Sequence, residues 1–378
     1  MEKHSERWYG LDHLRAAAII LVLMYHYRAF KHPQWIDEVG RFGWTGVDLF
    51  FVLSGFLISG QLFKEIERKG KFSVKIFYIK RFFRIIPAYF FTLFLYFTFP
   101  FFREREALSP LWKFLTFTQN YGLDVINRGT FSHAWSLCIE EQFYLFLPLL
   151  LLILAKTRLF KYLPVLLIGV ITFSLMVRIA MWNQYIIPVQ PDSLDFWRSW
   201  YMKIYYPTHT RLDGLGLGVL IGYLMQYSSG FKKIVHHRGN MIFLLGLVLL
   251  GISFWICNEQ TSETASVFGF TLVALSYGLI VISAVSKSSF LYWSKSYITA
   301  KLAALSYAIY LSHKGIIHMV QVTLDKFNIQ TADNICLILC LLACVAAAVL
   351  YRILIEKPFS GIRSGILKDK EKSTLQAD

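Results

Sequence analysis

Arg15 and His26 are ionisable side chains at the two ends of an apolar run near the start of the chain. They are eleven positions apart, and each residue of an α-helix turns by about 100°, so both face one side of a helix, about 16 Å apart along its axis. An ionisable side chain beside an apolar run costs free energy unless it meets a polar cavity, which makes His26 a candidate catalytic base. The flanking Tyr25 and Tyr27 leave open a second interpretation, an interfacial histidine.

Glu140 and Glu141 are adjacent carboxylates at the start of another apolar run. Neighbouring residues of a helix point in different directions, so one carboxylate can interact with the helix dipole while the other faces a cavity. We predict that Glu140 faces the cavity, with Trp135 and Ser136 as candidate binding residues just before it. His133 is a second candidate base, although a histidine in a loop is more often structural.

Arg81 and Arg84 lie on one face of a predicted helix and follow Lys80. Two guanidinium groups in this arrangement can bind phosphates bidentately, which predicts a site for a phosphorylated ligand. The alternative is a basic anchor on anionic lipid.

Other charged residues stand where apolar segments begin. Asp12 and Arg15 are one helical turn apart and can pair, which reduces the cost of both. Asp48 opens the second apolar segment, either as a functional group or as a carboxylate favoured by the helix dipole. Arg211 and Asp213 are predicted to form a paired site at the outer membrane face.

Tyr310 and His313 lie within a late apolar segment and can share a helix face, which adds both to the candidate site. The glycines between positions 214 and 222 resemble a nucleotide-binding loop only superficially, because no strand precedes them. Close helix packing through small residues is the favoured interpretation.

The elements that must position these residues are membrane helices. The chain has 378 residues, of which 56% are hydrophobic and 17% charged, whereas soluble domains average about 25% charged residues. This composition excludes a soluble globule and predicts an all-α, polytopic integral membrane bundle. We predict about ten transmembrane helices, at 13–31, 45–63, 83–102, 138–155, 161–182, 212–227, 240–257, 266–285, 302–322 and 335–355.

The net charge of +15 is distributed in short loops between apolar segments, which argues against a nucleic-acid partner. By the positive-inside rule the loops with basic residues, including Lys3 and Arg7, are cytoplasmic, and so are both termini. We expect one transmembrane domain over residues 1–360 and a short, charged, disordered cytoplasmic tail over 361–378. The cysteines at 336, 340 and 344 are interpreted as packing residues, and we expect no metal site.

Six motifs follow one another in a characteristic order. They are Arg15-x10-His26, the run 46–56, Lys80-Arg81-x-x-Arg84-x-x-Pro87, Trp135-Ser136-Leu137-x-x-Glu140-x-Gln142-Phe143-Tyr144, the run from Leu305 to His313, and Glu356-Lys357-Pro358-Phe359. Together they resemble the acyltransferase-3 family of membrane O-acyltransferases, which modify bacterial surface glycans. The resemblance covers about residues 8 to 360 and departs from the family pattern at His13, Lys80 and Cys138.

The resemblance implies a multi-pass protein of the bacterial cytoplasmic membrane that takes acyl-CoA, most often acetyl-CoA, as its donor substrate. Arg81 and Arg84 would hold the CoA phosphates and Arg15 would hold the donor or compensate charge. His26 would take the proton of the acceptor hydroxyl or carry the acyl group, and Glu140 would orient His26 or the acceptor.

The acceptor would be a glycan or glycolipid, such as lipopolysaccharide O-antigen or exopolysaccharide, that enters from the outside. Many relatives carry a C-terminal hydrolase-like domain, which is not found after Phe359 here, so we expect the membrane domain or a partner protein to complete transfer. Membrane lipid is an expected partner, and the oligomeric state is left open. Buried His, Glu and Arg also suit a proton-coupled transporter or flippase, and a non-catalytic scaffold is a third class.

Overall fold

The computed structural model describes residues 8–375, and its side chains through residue 368. The predicted cytoplasmic side chains Lys3, Arg7, Lys370 and Lys372 lie outside that part, as do residues 376–378. Within it the fold is all-helical, as predicted, and the one β-like contact is an isolated bridge between Leu108 and Thr130.

Sixteen α-helices make up the described chain. They are α1 (Tyr9–Tyr27), α2 (Trp35–Gly40), α3 (Thr45–Lys69), α4 (Val74–Thr98), α5 (Leu111–Leu115), α6 (Trp135–Lys156), α7 (Leu163–Met181), α8 (Leu194–Trp200), α9 (Asp213–Tyr227), α10 (Ser229–His237), α11 (Gly239–Ile256), α12 (Phe270–Ala284), α13 (Phe290–Trp293), α14 (Tyr297–Lys326), α15 (Asn334–Tyr351) and α16 (Lys357–Leu375). Short π-helical segments extend four of them, at Trp182–Ile186, Tyr201–Tyr205, Ala265–Gly269 and Arg352–Glu356. Single 3-10 turns lie at Pro100–Phe102, Ser132–Ala134, Phe160–Tyr162 and Thr208–Thr210.

Each of the ten predicted apolar segments overlaps one long helix, namely α1, α3, α4, α6, α7, α9, α11, α12, α14 and α15. Within the described residues, six helical stretches are long and apolar enough to cross a membrane by length and composition. These six are Trp35–Lys69, Ser132–Lys156, Phe160–Ile186, Gly239–Ile256, Ala265–Ala284 and Asn334–Lys368. The count of ten spans and the cytoplasmic side of the termini stay predictions.

The C-terminal tail differs from its prediction. Instead of being disordered, the chain continues from α15 through a π-helical segment into α16, which ends at Leu375. Phe359 of this helix packs near Phe83 of α4, with ring centroids 6.5 Å apart. Within the described residues, a helix of 19 residues therefore stands in place of the expected disordered tail, and the contact between Phe359 and Phe83 joins its start to α4.

The close packing of α3 against α9 depends on glycines, as the sequence predicted. A Cβ atom at Gly55 would lie 2.3 Å from the Leu215 carbonyl oxygen, and one at Gly218 would lie 2.3 Å from the Val52 carbonyl oxygen. No side chain fits at either position, so the two backbones come closer than helices with larger residues could.

The first helix lies at the centre of the functional region. α1 packs against α3 and against α14, and α14 packs in turn against α15. The long connections around 99–134 and 182–212 lie beside these helices and contribute α5, α8 and the aromatic residues between them. This arrangement brings residues from the first, middle and last thirds of the chain together along α1.

Candidate active site

Two polar cavities lie along α1. Arg15 lines one of them and His26 lines the other, and Val47 of α3 lines both. We call them the arginine cavity and the histidine cavity. Because the separation of Arg15 and His26 along the helix is about 16 Å, two residues on one helix face reach two different cavities.

His26 and His133 line the histidine cavity, and His313 contacts both of their rings. Nδ1 of His26 lies 2.8 Å from Nε2 of His313, and the two rings are stacked with centroids 4.9 Å apart. The His133 ring is 4.8 Å from the His313 ring and 5.7 Å from the His26 ring. The contact between His26 and the candidate residue His313 was not anticipated, and the 3-10 turn Ser132–Ala134 places His133 in the same cluster.

Two of the three rings, those of His313 and His133, contact backbone carbonyls of α14, and His26 contacts the His313 ring. Nδ1 of His313 lies 2.8 Å from the Tyr310 carbonyl oxygen and 3.1 Å from that of Ile309. Nε2 of His133 lies 3.3 Å from the Leu311 carbonyl oxygen, while its Nδ1 is buried and has no hydrogen-bond partner among the residues that the structure describes. A rigid helix thus holds the cluster in one orientation.

The rest of the histidine cavity combines aromatic rings with basic groups. Lys314 follows His313 on α14, is 8% exposed, and has its Nζ 3.8 Å from Oε1 of Glu104. Trp135 lines the cavity, and so do Tyr25, Tyr201, Tyr205 and Tyr206. Flat ring faces next to a base and a lysine are suited to a polar, ring-shaped ligand such as a sugar.

The arginine cavity is built from α1, α3, α4, α6 and α14. Its basic residues are Arg15, Arg81 and Arg84, and its acidic residues are Glu140 and Glu141. Arg84 is exposed, and Arg81 lies with its guanidinium carbon 6.0 Å from the centre of the Tyr144 ring. Lys80 is exposed and is not a lining residue, so only two of the three predicted basic residues on α4 contribute to this cavity.

Glu140 faces a cavity as predicted, but not the one that contains His26. Its Oε1 accepts a hydrogen bond from Ser54 Oγ at 3.1 Å, and its Oε2 accepts one from Tyr144 OH at 2.9 Å. Of the two expected roles of Glu140, orienting His26 or orienting the acceptor, the first is not supported, since Glu140 lines the arginine cavity and His313 holds His26. The physical reason is that Glu140 lies five residues, about 1.4 helical turns, beyond Trp135, so its side chain points about 140° away from the one that lines the histidine cavity. The role toward the acceptor stays a prediction.

Ser136 and Tyr310 lie at the boundary between the cavities. Both line the arginine cavity, and their hydroxyl oxygens are 2.6 Å apart. The Tyr310 hydroxyl also donates to the carbonyl oxygen of His133 at 2.5 Å. One hydrogen-bonded tyrosine thus connects the wall of the arginine cavity to the histidine cluster.

The predicted pair of Arg211 and Asp213 is replaced by two other ion pairs. Arg211 donates to Asp48 at 2.8 Å, and Arg178 donates to Asp213 at 2.9 Å. All four side chains are at most 4% exposed. Adjacent positions on α9 and the turn before it point toward different helices, so each residue pairs across the bundle rather than with its neighbour in sequence.

These ion pairs lie in the packed core. Arg211 lies with its guanidinium carbon 3.8 Å from the centre of the Phe270 ring, and Arg178 donates to the carbonyl oxygens of Thr210 and Val267. Asp48, Arg211 and Asp213 line neither cavity. Their contacts account for a structural role, joining α3, α7, α9 and α12.

Sequence reasoning missed Arg178 and Lys314. A lone arginine inside the apolar run of α7 was a signal, because such a residue must find partners within the protein. Lys314 had the same signal, directly after a candidate histidine.

Asp12 lies in the first turn of α1, half-buried, one turn before Arg15.

Comparison with known proteins identifies the fold family. A family model described as an acyltransferase domain matches residues 8–352. The chain belongs to the acyltransferase-3 family. Its apolar helices and this family membership make it a multi-pass membrane protein.

Similar proteins come from Staphylococcus aureus. "Putative O-acetyltransferase SACOL0978" of strain COL is 28% identical over 330 residues, which cover 82% of this chain and 51% of that protein. "O-acetyltransferase OatA" of strain NCTC 8325 / PS 47 is 29% identical over 340 residues, with the same two shares of 82% and 51%. The chain thus spans about half the length of the curated relatives it matches. No solved structure matches it at a significant level.

In the part of the chain that the structure describes, no group of histidine, cysteine and carboxylate side chains is arranged to hold a metal ion.

Proposed function

We propose that this acyltransferase-3 protein transfers an acyl group, in the simplest case acetyl, from acyl-CoA to a hydroxyl of a cell-envelope glycan or glycolipid. The observation that carries the proposal is the pair of cavities that meet at Val47. One has the charges to bind a phosphorylated donor, and the other has the base and the aromatic faces to bind a sugar.

The donor binds in the arginine cavity. Arg81 and Arg84 interact with the CoA phosphates, since guanidinium groups form strong, charge-assisted hydrogen bonds to phosphate. Arg15 lies in the same cavity and compensates negative charge there. The acyl end of the donor reaches the boundary formed by Ser136 and Tyr310, beside the histidine cluster.

The acceptor binds in the histidine cavity, where His26 removes the proton of the hydroxyl that attacks the acyl carbon. General-base catalysis of this kind contributes about 10² to 10⁴-fold to a rate. Glu140, hydrogen-bonded to Ser54 and Tyr144, acts on the donor side and not on His26.

The arginine cavity opens to the cytoplasm and the histidine cavity to the cell exterior in this proposal. It places the protein in the bacterial cytoplasmic membrane with ten spans, both termini inside, a transmembrane domain over 1–360 and a short charged tail over 361–378. The basic loops beside α3, α4 and α16 support that orientation. The relatives' printed names support acetyl as the group transferred.

Expression in a host with a defined surface polysaccharide tests the function. Wild type, His26→Ala, Glu140→Ala and the control His237→Ala, an exposed histidine on α10, are brought to equal membrane levels. Mass spectrometry and NMR of the glycan then detect O-linked acyl groups. We expect the ester with wild type and with His237→Ala, and its loss with His26→Ala.

If none of several envelope glycans gains an ester and the purified protein neither binds nor hydrolyses acyl-CoA, the acyltransferase proposal fails. A proton-coupled transporter or flippase would then be the better assignment, and His26-dependent movement of a glycan lipid would identify it. An ester that survives His26→Ala keeps the activity and removes His26 as the base.

A further inference from the structure

The hydrogen bonds around His313 define where its proton is. A carbonyl oxygen can only accept a hydrogen bond, and Nδ1 of His313 lies near two of them, on Tyr310 and Ile309. Nδ1 of His313 therefore carries a hydrogen. A neutral imidazole has a single N–H group, so Nε2 of His313 has a lone pair and accepts.

The same reasoning fixes the tautomer of His26. Its Nδ1 lies 2.8 Å from the accepting Nε2 of His313, so this nitrogen of His26 carries the hydrogen and donates it. The lone pair of neutral His26 is then on Nε2, in a side chain that lines the histidine cavity. A base needs a lone pair at the nitrogen that the substrate reaches, and the other nitrogen sets which one that is.

Neutral rings are consistent with the surroundings. His313 is fully buried, its hydrogen-bond partners are two carbonyl oxygens and His26, and no carboxylate contacts it among the described residues. An unpaired charge in such a place is costly. The His133 ring lies 4.8 Å from the His313 ring with their planes inclined by 64°, and this contact limits the rotation of His313.

We propose that His313 is a positioning residue that fixes His26 in the tautomer with Nδ1 protonated, through the hydrogen-bond chain from the α14 carbonyls to His313 to His26. The proposal rests on the proposed function, in which His26 is the base. Nothing in the sequence assigns this role, because His313 and His26 are 287 positions apart.

The step that this tautomer permits is balanced in atoms and protons. The hydroxyl O–H bond of the acceptor breaks and its proton moves to Nε2 of His26, while the oxygen forms a bond to the acyl carbon. The carbon–sulfur bond of the thioester then breaks, and the leaving thiolate takes the proton from His26. With the other tautomer Nε2 would already carry a hydrogen and the first transfer could not occur.

Three variants test the role of His313. His313→Leu has no acceptor for the His26 proton, while His313→Gln offers an amide carbonyl in its place. His318→Leu, on the same helix and outside the cavity lining, is the matched control. We expect His313→Leu to lower kcat by about 10² to 10⁴-fold, the range found when the group that orients a catalytic histidine is lost.

The donor KM should stay within about twofold in all three variants, since His313 does not line the donor cavity. His313→Gln should recover about 2- to 12-fold of the kcat lost in His313→Leu, which is what a single restored hydrogen bond is worth. A kcat for His313→Leu within about threefold of wild type, or equal losses for Leu and Gln, would overturn the proposal.

A second readout needs no activity. Nitrogen NMR of histidine-labelled wild type in lipid, with the His26 signals assigned from His26→Ala, reports which ring nitrogen is protonated. We expect the hydrogen on Nδ1 of His26 in wild type and in His313→Gln. A hydrogen on Nε2 in wild type rejects the tautomer assignment. If wild type forms no ester at all, the proposed function has failed. The spectrum still shows which nitrogen of His26 carries the hydrogen, and so tests the hydrogen bond to His313 by itself.

Discussion

The two cavities differ in how their polar groups are held. In the arginine cavity Glu140 is held by Ser54 and Tyr144, but Arg84 is exposed, and one polar atom each of Arg81 and Glu141 has no partner within the described part of the chain. In the histidine cavity, His313 and His133 are held by backbone carbonyls of a single helix. Loosely held charges suit a mobile, charged ligand, whereas fixed rings suit a proton transfer that depends on geometry. Under the proposed function, this difference separates donor binding from the chemical step along one helix.

Among the variants that test this difference between the cavities, removal of His26 should have the largest effect on acyl transfer. His26→Ala should lower transfer by at least about 100-fold, because the general base is lost, and leave acyl-CoA binding unchanged. Titration of the purified protein with acyl-CoA, beside a glycan-acylation assay, checks both. If donor affinity falls along with transfer, the two cavities are not separate in function.

Arg178→Met should destabilise the whole protein, and the loss should affect both cavities alike, because Arg178 lines neither of them. It leaves Asp213 as an uncompensated charge in the core, which costs about 3–5 kcal/mol for a buried pair. Thermal unfolding in detergent measures the loss.

The double variant Arg178→Met with Asp213→Leu is the control, since it removes both charges and should recover most of the stability. If Arg178→Met alone were as stable as wild type, the ion pair of Arg178 and Asp213 would not stabilise the bundle.

Arg81→Ala should weaken donor binding about 10- to 150-fold, the equivalent of one charge-assisted hydrogen bond of about 1.5–3 kcal/mol. Chemistry in the histidine cavity, measured as kcat at saturating donor, should change far less. Lys80→Ala is the matched control, a basic residue on the same helix that does not line the cavity. Equal losses for Lys80→Ala and Arg81→Ala would favour a general basic anchor on lipid over a phosphate site.

The smallest effect concerns the loop beside the histidine cavity. Burial alone would raise the pKa of Asp124, but hydrogen bonds from Asn127 and pairing with Arg198 outweigh it and lower the pKa. A lowered pKa in the folded state means that the contribution of Asp124 is present above its ordinary pKa of about 3.9 and is lost as the pH falls through the lowered value.

Asp124→Asn should therefore reduce stability by less than about 1 kcal/mol near neutral pH, since Arg198 is 46% exposed and solvent screens the pair. As the pH falls from about 4 through the lowered pKa of Asp124, the difference in stability between variant and wild type should shrink and then vanish. Thermal unfolding across this pH range compares them. A difference that grows on acidification would mean that Asp124 is stabilised in its protonated form.

The sequence predicted most of the helices because membrane hydropathy is a local property. All ten apolar segments coincide with long helices, and the glycines of α9 pack as expected. The sequence predictions were wrong where residues were assumed to contact each other and the folded chain places them apart. Arg211 and Asp213 are close in sequence but pair with Asp48 and Arg178 instead. Glu140, expected to orient His26 or the acceptor, lines the arginine cavity, whereas His26 lines the histidine cavity.

The sequence by itself determined the membrane class, the helix positions and the faces that carry Arg15, His26, Arg81 and Glu140, because these follow from composition and from the 3.6-residue period. Only the tertiary structure decided which of these groups meet. His26 finds His313 because α1 packs against α14. Hydropathy could not predict His313 as the neighbour of His26, because a helix face that contacts lipid and one that contacts another helix are both apolar. Which helices pack together is set by small residues and polar contacts between segments far apart in the chain.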